Sequence, residues 1–315
     1  MGDSAQPLKN RFSLLVVEET GLMVPTMEAF FQSDFVIPIE VATSFSLAKE
    51  LLKQNPDRFF MAVIDGDFNQ DSVDEILDIL ISRGVPPLIL TSNYSEDFKD
   101  KLTRRPILDY VVKRNMSEMW YVSCVVERVR GNVNRKVLIV DDSPTCRMTL
   151  SSFLKRQQLQ VIESESGQDA LNKIRAHPDT TLVITDMMMP EMSGIELISK
   201  IRDHFSSQQM SIIGMSGMED RGQISTILKH GANDFFLKPY VYEEIFCRVA
   251  QCIDSITHYH RIKEYSIRDQ DTGAYTDKYL MNVGGLFFYQ AMLRKNPVLV
   301  ALVKITNMDN LIRDF

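Results

Sequence analysis

Lys136-Val137-Leu138-Ile139-Val140-Asp141-Asp142 decides the reading of this chain, because a strand-like apolar run leads straight into an acidic pair. Working outward, a lone acid, Asp186, closes Val183-Ile184-Thr185. A hydroxyl, Ser216, follows Ile212-Ile213-Gly214-Met215, and Lys238 stands before Pro239. A fainter copy precedes it: Leu14-Leu15-Val16-Val17 runs into Glu18-Glu19, and then come Asp65, Thr91 and Lys113. The matched positions Glu19/Asp142, Asp65/Asp186, Thr91/Ser216 and Lys113/Lys238 lie 123, 121, 125 and 125 residues apart. Four matched functional groups at a nearly constant shift identify a tandem repeat of one domain.

The segments between these positions alternate strand and helix character. Met27 to Phe31 has helical periodicity, and Ser44 to Lys53 carries an apolar stripe of Phe45, Ala48, Leu51 and Leu52. Phe59 to Ile64 and Pro87 to Leu90 read as strands, each ending at a residue of the four-part code. Such alternation indicates a parallel, doubly wound α/β sheet, which binds ligands at the carboxyl ends of its strands. Gly131 to Arg135 reads as a short polar joint between the copies. A helix from about Val241 through Ile256, with Ile245, Val249, Ile253 and Ile256 apolar, closes the second copy and extends onward.

Each position of the code has a chemical reason. Three carboxylates at one end of a sheet form an oxygen-rich pocket for a small hard cation such as Mg²⁺. A lone Asp there can attack a phosphoryl group and become an aspartyl phosphate. The metal, a Lys ammonium and a hydroxyl then bind the oxygens of the transferring group.

This pattern resembles the response-regulator receiver domain, most closely in the second copy. The resemblance implies Asp186 as phosphorylation site and Mg²⁺ as cofactor. The metal would be held by Asp141, Asp142, Asp186 and the Met188 backbone carbonyl. It implies Ser216 as switch hydroxyl, Lys238 as phosphate-binding lysine and Phe235 as aromatic switch. The fold class it implies is α/β: two tandem flavodoxin-like, doubly wound, five-stranded parallel-sheet receiver domains over 11–130 and 135–257. A helical linker over 258–268 and a partial α+β fragment over 269–315 would follow.

In the first copy the corresponding metal set is Glu18, Glu19, Asp65 and the Asp67 backbone carbonyl, with Thr91, Lys113 and Tyr110 as switch and phosphate-binding residues. Its fit to the pattern is poorer. Glu18-Glu19 lengthens the acidic pair by a methylene, and Mg²⁺ demands near-octahedral geometry. Arg114 stands where a Pro normally follows the lysine, and the loop after Asp65 has no Met-Pro. Two readings stay open here: phosphorylation on Asp65, or a pseudoreceiver used for dimerisation or regulation. Asp65-Gly66-Asp67 also fits the opening of haloacid-dehalogenase-like phosphatases. Their other acids lie downstream of the nucleophile, however, whereas Glu18-Glu19 lie upstream.

The tail segment Asp269-Gln270-Asp271-Thr272-Gly273-Ala274-Tyr275 resembles the opening signature of GGDEF domains, which make cyclic di-GMP. Lys304 to Phe315 aligns with a later family segment, but Lys304 replaces a metal-binding Asp, Ile312 a guanine-binding Asn, and Arg313 an Asp. The Gly284-Gly285 pair lacks acidic neighbours and is not the signature hairpin. The tail is therefore expected to be a degenerate output fragment.

Composition narrows the remaining classes. Over 315 residues, 44% hydrophobic and 24% charged content is that of an ordinary globular protein, and a net charge of −7 argues against nucleic-acid binding. No apolar run is long enough for membrane insertion, and the polar start has no signal-peptide core, so a cytoplasmic location is expected. Cys124, Cys146, Cys247 and Cys252 form no CxxC pair, and His258 and His260 point to different sides of a helix. The expected protein is a two-component response regulator that takes phosphate from a sensor histidine kinase or phosphotransfer protein, acting as a homodimer. The rival readings are a diguanylate cyclase, should the chain extend past residue 315, and a phosphorylation-independent receiver scaffold.

Overall fold

The computed structural model describes residues 12–19, 23–30, 37–55, 57–67, 70–92, 95, 102, 105–113, 116–217 and 224–267, with 269, 273–276, 279, 280, 291 and 297 beyond. The chain divides into two compact units, Met1–Ile256 and Thr257–Phe315. Lys304, Ile312, Arg313 and Gly284-Gly285, on which the reading of the tail rests, lie outside the described residues.

The first unit holds two parallel five-stranded sheets. One comprises β1 (Ser13–Val17), β2 (Ile39–Ala42), β3 (Phe59–Asp65), β4 (Pro87–Thr91) and β5 (Asp109–Val112), in the order β2-β1-β3-β4-β5. The other comprises β6 (Lys136–Val140), β7 (Gln160–Ser164), β8 (Thr180–Asp186), β9 (Ser211–Gly217) and β10 (Asp234–Lys238), in the order β10-β9-β8-β6-β7. Read from the opposite edge, the second order repeats the first. Both are the 2-1-3-4-5 order of a flavodoxin-like sheet, with the winding reversing between the first and third strands. The α/β class, the parallel pairing and the repeat all stand as expected.

The helices are α1 (Met23–Glu28), α2 (Phe45–Gln54), α3 (Gln70–Ser82), α4 (Met116–Asn132), α5 (Pro144–Arg156), α6 (Gly167–Ala176), α7 (Gly194–Arg202), α8 (Ile224–Lys229) and α9 (Tyr242–Ile267). Serines begin four of them. Ser44, Ser143, Ser166 and Ser193 accept the backbone N–H of Leu47, Cys146, Asp169 and Glu196. Each satisfies a donor that the helix start leaves unpaired. Central strands such as β1, β3 and β8 are buried on both faces, which is why they read as unbroken apolar runs.

Two differences from the sequence reading have physical causes. Gly131 and Asn132, taken as joint, form the last turn of α4, and the Asn132 side chain donates to the Gln157 carbonyl at 2.9 Å. The closing helix also serves both sheets. Ile245, Val249 and Ile253 of α9 join the core of the second sheet, while Phe246 joins that of the first. Tyr242 Oη donates to the Leu108 carbonyl just before β5 at 3.1 Å. An apolar stripe at i, i+4 and i+8 covers one sheet, and the adjacent ring at 246 reaches the other.

In the second unit, Gly273 has φ +66°, the left-handed region that glycine adopts without steric cost. Its N–H donates to the Asp269 carbonyl at 2.9 Å, and the Asp269 N–H donates to the Ala274 carbonyl at 2.8 Å. The Tyr275 and Tyr279 rings stack at 4.6 Å. Among the described residues no helix is long and apolar enough to cross a membrane.

Candidate functional site

The second sheet gathers its code residues at the carboxyl ends of β6, β8, β9 and β10. Asp141 and Asp142 follow β6, Asp186 ends β8, Ser216 lies near the end of β9 and Lys238 ends β10. Asp141, Asp142 and Asp186 can each offer one oxygen within 4.8 Å of the others, forming the one such acidic group among the described residues. Asp141 is fully buried, Asp186 nearly so, and Asp142 exposed. A hard cation entering from solvent would find oxygen donors of the type Mg²⁺ prefers.

Lys238 Nζ donates to Asp141 Oδ2 at 2.8 Å and pairs with Asp186 Oδ2 at 3.1 Å. The Ser143 N–H donates to Asp141 Oδ1, and the Met187 N–H to Asp186 Oδ1, both at 2.8 Å. Burial pushes the Asp186 carboxyl above its usual range, and the nearby Asp141 charge adds to this against the pull of Lys238. Burial alone would lower the Lys238 ammonium, but its bonds and charges shared with Asp141 and Asp186 raise it instead. The site thus concentrates negative charge around one cation, the setting in which an added divalent ion gains most.

Ser216 is 1% exposed, and its Oγ has no hydrogen-bond partner. A buried hydroxyl left in that state costs stability, a cost that a ligand oxygen accepting its hydrogen bond would relieve. The pairing of Asp186 with Met215 puts Ser216 one residue beyond the acid on the neighbouring strand. Gly194 lets the start of α7 lie close against the backbone after Asp186. A Cβ there would lie 2.3 Å from the Asp186 carbonyl oxygen and 2.8 Å from Met187 Cα.

Met188 is 66% exposed at the mouth of the pocket. Phe235 is partly buried on β10, with the Arg248 guanidinium 5.5 Å from its ring centroid. Arg248 is itself anchored to Asp234 at 2.7 Å and to Glu244 at 3.0 Å.

The first sheet arranges its code residues differently. Both Glu18 carboxylate oxygens accept the Met23 N–H at 3.0 Å, and one also accepts the Val24 N–H at 3.3 Å. Its carboxylate caps the start of α1 just ahead of it, and the acidic metal-sized group found among the described residues does not include Glu18, Glu19 or Asp65. Lys113 Nζ pairs with Asp65 Oδ1 at 2.5 Å and with Asp67 Oδ2 at 3.1 Å.

Asp67, expected to act through its backbone carbonyl, is engaged through its side chain. Its Oδ1 accepts the Thr91 hydroxyl at 3.0 Å and the Ser92 N–H at 2.8 Å, and Oδ2 lies 3.1 Å from the Ser92 N–H. Burial opposes its ionisation, yet the Ser92, Lys113 and Thr91 hydrogen bonds outweigh that and hold its carboxyl below the ordinary value. Sequence reasoning missed these contacts, although a second acid two residues after the first was visible. Tyr110, on β5, lines a small cavity with Leu108, Arg156, Tyr242 and Phe246.

The response regulator receiver domain family matches residues 137–250. Chemotaxis protein CheY1 of Helicobacter pylori is 37% identical over 106 residues, covering 33% of this chain and 86% of that protein. Two-component response regulator ORR5 of Oryza sativa subsp. japonica is 37% identical over 103 residues, covering 33% of this chain and 77% of that protein. Two solved structures, both described as a two-component system response regulator/GGDEF domain protein, align with TM-score 0.69. They are 31% and 32% identical, and each alignment covers 78% of this chain and all of the solved one.

Proposed function

Because the chain belongs to the response-regulator receiver family, we propose that it is a two-component phosphorelay protein that accepts a phosphoryl group on Asp186. The carrying observation is the unpartnered, buried Ser216 hydroxyl beside Asp186 and Lys238. The donor is a phosphohistidine on a sensor histidine kinase or phosphotransfer protein.

An Asp186 carboxylate oxygen attacks phosphorus and forms the O–P bond. The N–P bond of the phosphohistidine breaks, its electron pair returns to the imidazole nitrogen, and that nitrogen takes up a proton. Bound Mg²⁺, held by Asp141, Asp142, Asp186 and the Met188 carbonyl, would neutralise charge on the transferring oxygens. Lys238 exchanges part of its carboxylate pairing for a phosphoryl oxygen. Ser216 donates its hydroxyl to another oxygen, a bond made only once the phosphoryl group is present. Phe235 then packs inward and Arg248 must follow its ring, remodelling the surface made by β10 and α9.

The output reading is a degenerate GGDEF-like segment addressed through dimer geometry. It is supported by the Asp269–Ala274 turn and by the response regulator/GGDEF descriptions of the two similar structures. Acetyl phosphate, with and without Mg²⁺, tests the site on the full chain. Labelling that requires Mg²⁺, and falls with Asp142→Asn, is expected. Labelling of equal extent without metal would refute it.

A further inference from the structure

The three donors around Asp67 are a hydroxyl, a backbone amide and an ammonium: Thr91 Oγ1, Ser92 N and Lys113 Nζ. Thr91 and Lys113 occupy the places that Ser216 and Lys238 hold in the second sheet. Asp65 pairs with Leu90, and Asp186 with Met215, so each hydroxyl residue comes next on its strand. The copies diverge two residues after the lone acid. The first has Asp67, and the second has Met188, with its side chain in solvent.

This difference follows the state of the hydroxyls. Thr91 donates to the Asp67 carboxylate, whereas Ser216 Oγ is buried with no partner. In the first copy one carboxylate, that of Asp67, bridges the hydroxyl and the lysine, whereas in the second Lys238 pairs with Asp141 and Asp186 and no side-chain anion reaches Ser216 Oγ. A carboxylate spreads its charge over two oxygens, and Asp67 sets one on Thr91 and Ser92 and the other on Ser92 and Lys113. Those are the contacts that phosphoryl oxygens would make with such donors.

We propose that the Asp67 carboxylate is a built-in occupant of the first sheet's oxyanion cradle, standing where a phosphoryl group would and holding that half of the chain in a permanently occupied state. A ligand tethered to the same loop competes at high effective concentration with any anion from solution. Asp65 is therefore shielded from phosphorylation. The end of β4 is fixed while Tyr110, on the neighbouring β5, keeps its place in the wall of the cavity shared with Tyr242 and Phe246 of α9. This does not depend on phosphorylation of Asp186.

Amide hydrogen exchange at Ser92, on the full chain, separates an anion cradle from an ordinary loop contact. In Asp67→Ala the Ser92 amide should exchange about tenfold faster, and tens of millimolar inorganic phosphate should restore most of the protection. Asp67→Asn keeps a side-chain acceptor and serves if the alanine variant fails to fold, and phosphate should slow exchange there too. Unchanged exchange in the variants, or faster exchange that phosphate does not slow, overturns the proposal. So does labelling of Asp65 in the wild-type chain by acetyl phosphate.

Discussion

Arg128 on α4 and Asp254 on α9 form a two-pronged ion pair across 126 residues of chain, with Nε–Oδ1 at 2.9 Å and Nη2–Oδ2 at 2.6 Å. It joins the last helix of the first sheet to the last helix of the second. The Arg128 side chain is 10% exposed and that of Asp254 38%, so the arginine has given up most of its water for this contact. A second contact between the two copies is the Gln158 side-chain amide donating to the Gly84 carbonyl at 3.2 Å. The two sheets are thereby coupled through α9, the element that leads toward the tail.

Removing either partner should therefore be costly. Arg128→Ala and Asp254→Ala are each expected to lower stability by about 1–3 kcal/mol, with the double variant losing clearly less than their sum. Urea unfolding of the four proteins checks this. Strict additivity would mean that the pair carries no coupling.

Asp109 predicts a pH dependence. Burial raises its carboxyl pKa, the Glu243 charge adds to this, and the bonds from Tyr121 Oη at 2.5 Å and Tyr110 N–H at 2.8 Å oppose it, as does the Arg128 charge. A carboxyl raised in the folded state binds its proton there before it does in the unfolded chain. Ionised Asp109 thus costs stability at neutral pH, and the cost fades as pH falls through the folded pKa toward about 4. Between pH 7.5 and 4.5 the melting temperature of the wild type should move upward relative to that of Asp109→Asn. A constant gap, or one moving the other way, counts against this assignment.

Gly194→Ala should damage the site from behind. The added methyl meets the backbone of Asp186 and Met187, which cannot swing aside as a side-chain end could. A loss of about 1–3 kcal/mol is expected, together with slower labelling of Asp186 by acetyl phosphate. Wild-type stability in this variant would show that the loop after β8 has room to move.

The tail should make no cyclic di-GMP. By its resemblance to GGDEF domains, the tail would carry Lys304 in place of a metal-binding Asp, and a like-charge contact with a divalent ion at ~4 Å would cost about 2 kcal/mol even when well solvated. By the same resemblance Ile312 would stand in place of a guanine-binding Asn, with no side-chain hydrogen bond to give the base. GTP incubated with the purified chain should remain unconverted, and Lys304→Asp alone should not change that. Cyclic di-GMP formation by the wild-type chain would favour the cyclase reading.

The repeat and its sheets were legible because central parallel strands are buried on both faces and announce themselves as apolar runs. Edge strands were harder. Ile39–Ala42 and Gln160–Ser164 mix exposed and buried positions and carry no clear period. The second site was readable since its donors sit at strand ends, where spacing alone positions them. The role of Asp67 was not, because it depends on a loop bringing its carboxylate to Thr91, Ser92 and Lys113, which are 24, 25 and 46 residues away. The capping role of Glu18 was not legible either, because it depends on the side chain reaching forward to the Met23 N–H at the start of α1. The apolar period of α9 pointed to Ile245, Val249 and Ile253, whereas Phe246, Tyr242 and Asp254, off that stripe, make the contacts with the first sheet and its last helix.

Peptide mapping of the full chain after acetyl phosphate and Mg²⁺, with borohydride reduction to fix the aspartyl phosphate, tests the central claim most directly. The account predicts modification at Asp186, and none in Asp186→Asn. Modification spread over other acids, or undiminished in that variant, would contradict it.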